Sequence, residues 1–444
     1  MEEFMSGTKL SGPKVQWVAL ALVLLTHSAF LILDHEYYAN DTPSYLVPAD
    51  NLLHGQGFVN ELHQPDIYRT PGYPLLLALF GVSPLKVQYL ILLQHGLCLL
   101  IAVAVTDMAF RISRNSLIAL TAASVLSFDL ATIRAANTLL TETAFTFLIG
   151  LVCWILYRAT LNQAGNVPAS VSAGLLGGCA VLFRPVGVLY FVPLSIYLFL
   201  VLRRRALRPV LVFSASFLLI PLLWITRNYL QADYWGISTV SAEDILGFRA
   251  AGTLAVRMPG DYLTNVVRIR GVLLRQACED LERTYRRDCQ RVAESQRAAY
   301  ITRVGTKIIL NDLPGYLRSA VYGLAYLVFG GGTEALSKIA NVDSLVAKRA
   351  VLFITLPEAG LAVIGCLYWF RQEKNLCYLL LLTVIYFLAM TAGPEAYSRY
   401  RVPVMPMYAL LIGGGAAATI QSIQRVWAAC MARVAGYRQA TRLS

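Results

Sequence analysis

The fold class this sequence predicts is an all-α polytopic membrane protein, a bundle of about ten spanning helices with further helices in its external loops. Three observations carry that expectation. Of 444 residues, 57% are hydrophobic and only 14% charged, an apolar excess that no water-soluble core requires. The mean hydropathy is +0.56. Apolar runs recur along the chain at or near the ~17–25 residues of a bilayer-crossing helix.

In order, the runs lie at 15–33, 87–110, 116–133, 139–157, 169–183, 186–202, 210–225, 350–370, 376–390 and 404–423. The first lacks the small-residue cleavage pattern and polar continuation of a removable signal peptide, so it is expected to remain as a helix. The second carries Gln94, His95 and Asp107, polar groups that within a bilayer chiefly join neighbouring helices. Several runs are short, so their helices are expected to extend past the apolar limits. The stretch 316–329 is apolar but carries Arg318 and ends in Gly330, Gly331 and Gly332; it reads as a helix in the outer interface, with its tyrosines at headgroup level.

Orientation follows from the short loops that keep lysine and arginine, because these resist translocation. Lys9 with Lys14, Arg111 with Arg114, Arg158, the run 203–205 with Arg208, Arg371 with Lys374, and Arg425, Arg433, Arg438 and Arg442 fall on alternate sides of consecutive spans. Both termini are then cytoplasmic. The arginine-rich segment 227–349 lands outside, which its length permits, since loops beyond ~60 residues escape the charge rule. The chain divides into an N-terminal transmembrane module, 1–225, with its first external loop at 34–84; an external or interfacial region, 226–349; and C-terminal helices with a cytoplasmic tail, 350–444.

The net charge of +12 is accounted for by cytoplasmic anchoring and the basic external region, and no nucleic-acid, dinucleotide or nucleotide-phosphate motif is present. Of eight cysteines, only Cys278 and Cys289 fall outside together, where an oxidising compartment favours their pairing. On one continuous helix they would be about 16 Å apart, so a bridge requires a turn between them.

Polar residues concentrate outside. The first external loop holds Asp41, Thr42, Pro43, Ser44 and Tyr45, then Ala49, Leu52, Gly55 and Gly57, then Arg69, Thr70, Pro71, Gly72, Tyr73 and Pro74; Thr141 and Glu142 open a later helix. This pattern resembles the GT-C superfamily of polyprenyl-phosphate-dependent glycosyltransferases, nearest the branch of protein O-mannosyltransferases and lipid A aminoarabinose transferases. The resemblance covers roughly 41–229 with useful motifs, and beyond that only a general plan.

It implies that Asp41 is the acidic residue beside the acceptor hydroxyl, acting as general base, that Arg69 holds the donor phosphate, and that Glu142 is a second carboxylate. Relatives often carry Asp-Glu in the first loop; Thr42 follows Asp41 here, leaving one carboxylate. No cofactor is named by the sequence, and a divalent metal ion is left open. A metal set of His54, His63, Glu61 and Asp41 lacks a recognised spacing. The implied partners are a polyprenyl-phosphate-linked sugar, a lipid, glycan or protein acceptor, and membrane lipids. The implied place is a bacterial cytoplasmic membrane, with the site facing the exterior.

The chemistry asks for these residue types independently. When a sugar leaves a lipid phosphate for a hydroxyl, a base is needed near the acceptor and fixed positive charge near the departing phosphate. Guanidinium suits the second role by forked contact. Arg184, Arg227, Arg399 and Arg401, all at external helix ends, are candidates to extend the clamp, and Tyr45, Tyr73 and Tyr400 to shape the substrate surface. Each has a plainer reading: Asp41 as turn chemistry, Glu142 as a helix cap, the arginines as snorkelling groups. Competing functions are a ligase using a pyrophosphate-linked glycan, which would place its catalytic groups in a late basic loop, and a transporter, which would show repeated halves with interrupted helices.

Overall fold

The computed structural model describes residues 12–81, 84–161, 166–394 and 398–443. Lys9, which entered the expectations above, lies outside these residues. Apart from one isolated β-bridge between Val59 and Pro65, the regular structure among the described residues is helical. The chain is an all-α polytopic membrane protein.

Among the described residues, eight helices are long and apolar enough to cross a membrane: Gly12–Leu33, Lys86–Ser113, Glu142–Thr160, Pro185–Arg205, Leu207–Ala232, Ser344–Gln372, Lys374–Thr391 and Ser398–Arg433. A ninth span forms if Ser116–Phe128 and Leu130–Ala136, bent by 57° at Asp129, count together; Val167–Phe183 is apolar but 17 residues long. The ten apolar runs thus fall on helices, with 116–133 divided between two, but eight spans, or nine with the bent pair, meet the length of a crossing among the described residues where about ten were expected. Two helices outrun their apolar stretches from a side-chain cap: Asn166 and Asp343 accept from the backbone N–H of Ala169 and Leu345, starting their helices before the apolar residues begin. Residues 225 and 349 both fall within helices, Leu207–Ala232 and Ser344–Gln372, so the main chain passes those points without a break.

Stretch 316–329 belongs to Leu313–Phe329, capped by Asp312, which accepts from Gly315 N–H. It buries only the stripe Gly315, Ser319, Gly323 and Leu327 and is 17 residues long.

Helices pack closely where glycines remove side chains. A Cβ at Gly174 or Gly178 would strike the backbone of Leu207–Ala232 at Phe213 and Phe217. Gly365 lies against the carbonyl of Leu411, and Gly415 against that of Leu361, so Ser344–Gln372 and Met405–Leu443 run backbone to backbone. Trp369, wholly buried, donates Nε1–H to the Leu410 carbonyl at 2.8 Å. The polar groups of the second span join helices, as expected. Gln94 donates to the Ala136 and Thr138 carbonyls at 2.9 and 2.8 Å, and the His27 and His95 rings meet at 2.6 Å through their Nδ1 atoms.

Asp129 causes the 57° bend. Its carboxylate accepts from Thr132 N–H and caps the second half of the pair, while the other oxygen meets Arg401 at 3.1 Å. The turned half, Leu130–Ala136, becomes a wall of the functional cleft.

In the 226–349 region, the Cys278–Cys289 disulfide ties Tyr262–Tyr285 to the short 3-10 helix Cys289–Arg291 that precedes Glu294–Asn311, with Cα atoms 5.3 Å apart. The necessary turn is made without Gly or Pro: Arg286 takes a left-handed backbone (φ +53°) and Asp288 caps the short helix at Cys289.

Candidate active site

Five of the expected charged residues converge from five places in the chain, at the ends of the helices. Asp41 lies between the first span and Pro43–Leu53; Arg69 precedes Gly72–Phe80; Glu142 opens Glu142–Thr160; Arg184 caps the end of Val167–Phe183; Arg399 sits in the 3-10 segment Ser398–Val404.

Asp41 stands between two guanidiniums, its Oδ1 3.3 Å from Arg69 Nη2 and its Oδ2 2.5 Å from Arg399 Nη2. Burial works to push its carboxyl up, but the charges of Arg399 and Arg69 outweigh this and hold Asp41 below the ordinary carboxylate range. Glu142, only 1% exposed, meets Arg184 Nη1 at 2.5 Å and Arg399 Nε at 3.6 Å through Oε1; its Oε2 has no protein hydrogen-bond partner. Arg399 thus bridges the two carboxylates.

Arg69 is held rigidly. It donates to Ser44 Oγ at 2.8 Å and to the Tyr45 hydroxyl at 3.0 Å, and its guanidinium lies between the rings of Tyr45 and Tyr68 at 4.4 and 4.9 Å. Tyr68 in turn donates to Glu243 at 3.2 Å. The backbone there is fixed by Asp66, which accepts from the N–H groups of Tyr68 and Arg69 at 2.7 and 3.2 Å. Asp66 is 3% exposed, and burial pushes its carboxyl up to about 6, against those two N–H groups; Glu294 adds to the rise and Arg227 opposes it.

Two cavities meet at this cluster, sharing Asp41, Arg69, Leu140, Val240, Asp244, Arg399 and Tyr400 as a common wall. The larger, about 500 Å³, has polar walls that include Arg134, Glu243, Arg270, Glu334 and Lys338. The smaller, about 140 Å³, adds Glu142, Arg184 and Arg249 to an apolar flank of Phe183, Val186 and Met390. Tyr45 and Tyr400 line the smaller cavity, and the Tyr400 ring lies under Arg184 and Arg399 at 5.2 and 5.4 Å.

Three expected residues are placed elsewhere. Arg401, 4% exposed, points away from the cleft into an ion-pair group with Asp129 at 3.1 Å and Glu358 at 3.8 Å. Arg227 donates to the backbone carbonyls of Asp66 and Phe58 at 2.6 and 2.8 Å, and packs on Phe58 and Trp224. Tyr73 is wholly buried beneath Tyr45 and donates to Gln94 at 2.8 Å. All three support the cleft without lining it.

Conversely, Asp66, Glu243, Asp244, Arg249 and Arg270 were missed by sequence reasoning. The last four stand on or against Asp244–Ala250, a π-helical segment, and Arg270 lies 4.1 Å from the Phe248 ring. Such segments are rare and frequently mark functional sites.

The residues present do not fit a resident divalent ion. Among the described residues, no group of three or more His, Cys, Asp or Glu side chains converges. His54 is an exposed partner of Asp50 at 3.6 Å, and the oxygens of Asp41 together with one of Glu142 already face arginines.

Bundle and site together define a polytopic membrane protein with a charged cleft built from helix ends. Its fold is the GT-C fold. The chain superposes on archaeal oligosaccharyltransferase AglB from Archaeoglobus fulgidus, in complex with an inhibitory peptide and a dolichol-phosphate, with a TM-score of 0.53 and 13% identity over 95% of this chain and 52% of that one. The apo form of the Archaeoglobus fulgidus oligosaccharyltransferase matches at TM-score 0.52 and 13% identity, over 96% and 52%. A form of that enzyme tethered to an acceptor peptide containing the NVT sequon matches at 0.50 and 13%, over 90% and 49%. The chain spans about half the length of these structures. No family model and no curated sequence matches it.

Proposed function

We propose that this protein is a glycosyltransferase that moves a sugar from a polyprenyl-phosphate donor to an acceptor hydroxyl at the outer face of a cytoplasmic membrane. The observation that carries the reading is Asp41 clamped by Arg69 and Arg399 on the wall between a small cationic, part-apolar cavity and a larger polar one. The donor's phosphate enters the smaller cavity against Arg69, Arg184 and Arg399, its prenyl chain along Phe183, Val186 and Met390. The acceptor enters the larger one. The dolichol-phosphate and acceptor peptide held by the structural neighbours support a lipid-linked donor and a peptide or protein acceptor in general terms.

In this reading the step is a single inverting displacement. The acceptor oxygen attacks the anomeric carbon and its proton passes to Asp41, while the bond to the phosphate oxygen breaks and the lipid phosphate departs on the arginines. Free of substrate, Asp41 is a weak base because two guanidiniums stabilise its charge. An arriving phosphate competes for the same guanidiniums and returns basicity to Asp41, so the base strengthens as the donor binds.

Transfer of labelled sugar from a polyprenyl phosphate in reconstituted membranes tests the assignment. Asp41→Asn keeps the shape and removes the base, and a loss of roughly 10²–10⁴-fold in turnover is expected. Near-normal transfer by the folded variant excludes Asp41 as base. Asn60→Cys, in the first loop, is expected to react with an impermeant thiol reagent in intact cells; labelling only after permeabilisation places the site on the other face.

A further inference from the structure

The seat between the two carboxylates is filled by protein. Arg399 directs Nη2 to Asp41 Oδ2 at 2.5 Å and Nε toward Glu142 Oε1 at 3.6 Å, while Arg69 covers Asp41 Oδ1 at 3.3 Å and Arg184 shares Glu142 Oε1 at 2.5 Å. Only Glu142 Oε2 is left without a protein partner, and it is buried. One oxygen does not hold Mg²⁺ or Mn²⁺, which take about six ligands, nor does a divalent ion settle among three guanidiniums without displacing one. Arg399 is also hard to displace. Two residues on, Arg401 pins the same 3-10 segment through Asp129 and Glu358.

We propose that Arg399 is a built-in cation occupying the bridging position between Asp41 and Glu142, so that the site functions without added metal, and that removing its charge opens a divalent-cation site at those two carboxylates. This deepens the glycosyl-transfer reading in one respect: the charge that neutralises the departing phosphate is supplied entirely by the chain. The bridging geometry also assigns Glu142 a role. It holds Arg399 from the side opposite Asp41, and its spare oxygen becomes a metal ligand once the guanidinium is gone.

The test uses the full chain in nanodiscs with Mn²⁺ as probe, read by electron paramagnetic resonance. The native protein is expected to leave the spectrum of free Mn²⁺ unchanged. Arg399→Ala is expected to gain one bound Mn²⁺ with affinity raised roughly tenfold or more, and to lose it again in the double variant with Asp41→Asn. Arg399→Met, which keeps the side-chain length, gives the same gain and serves if the truncation does not fold. Stoichiometric Mn²⁺ on the native protein overturns the proposal, as does a folded Arg399→Met protein that gains none. In the transfer assay, EDTA leaves native activity unchanged and Mn²⁺ partly restores the variants; abolition of native transfer by EDTA overturns it. The resonance experiment does not depend on turnover. The expected Mn²⁺ pattern without any sugar transfer upholds the built-in cation and refutes the glycosyltransferase reading alone.

Discussion

Asp66 offers a pH-dependent measure of how the first loop is held. It is 3% exposed beneath the Tyr68–Arg69 backbone, its carboxyl raised by burial from 3.8 to about 6. Because the folded-state value lies above the ordinary one, the folded protein retains a proton there that the unfolded chain releases. The associated stability is fully present below about pH 4 and is lost as pH rises through about 6. A displacement of about two pH units corresponds to about 3 kcal/mol. Asp66→Asn keeps an oxygen to accept from Tyr68 and Arg69 N–H but cannot ionise. Its melting temperature, followed by tryptophan fluorescence in detergent across pH 4–8, should stay level where the parent's falls, and should exceed the parent's at pH 7.5. Other acids titrate in both proteins, so the difference between the curves isolates Asp66. Parallel curves at every pH, or a variant destabilised throughout, would refute the assignment.

Arg69→Ala should weaken donor binding roughly tenfold to a hundredfold, with Arg69→Lys recovering only part because the forked contact and ring stacking are lost, as donor titration by calorimetry would show. Arg401→Met should lower stability by about 3–5 kcal/mol, since Asp129 and Glu358 would lose their buried cation, and should also slow transfer although Arg401 does not touch the cleft; an unchanged melting point contradicts the ion-pair account. Mass spectrometry of unreduced peptides should recover Cys278 joined to Cys289, and their replacement by serine should cost about 3 kcal/mol of local stability, read as faster proteolysis between the two helices. Free thiols at both positions would dismiss the bridge.

The spans were legible because a bilayer forces every backbone group into internal hydrogen bonds, so a long apolar run is close to a commitment to helix. Their ends were less so, because caps such as Asn166 and Asp343 lie in polar sequence beyond the apolar signal. The bend at Asp129 could not be read at all. It has no Gly or Pro, and Arg401, which pairs with the Asp129 oxygen not used in the cap, lies 272 positions away in the 3-10 segment Ser398–Val404. Asp41, Arg69, Glu142, Arg184 and Arg399 were recognisable as charges at helix ends on one side of the chain. Arg399 and Arg401 were indistinguishable on that criterion; only the 3-10 turn, which sends residues two apart in different directions, separates the bridge from the strut. Asp244, Arg249 and Arg270 were hidden in the long arginine-rich external segment 227–349, and a π-helical segment leaves no periodic trace in composition.

The contact between Gly365 and Gly415 gives the bundle a distant point of vulnerability. The helix bearing Gly415 is the direct continuation of the segment that carries Arg399, and the glycine contacts lie roughly 9–15 Å along it from its first residue. A single methyl group at Gly365 has nowhere to go but into the Leu411 carbonyl. The helix must then slide or tilt as a rod, carrying Arg399 with it. Mutational screens of this protein should therefore find silent, well-expressed variants in the middle of the membrane that look like allosteric lesions and are in fact wedges, their severity following the volume of the added side chain and not its polarity.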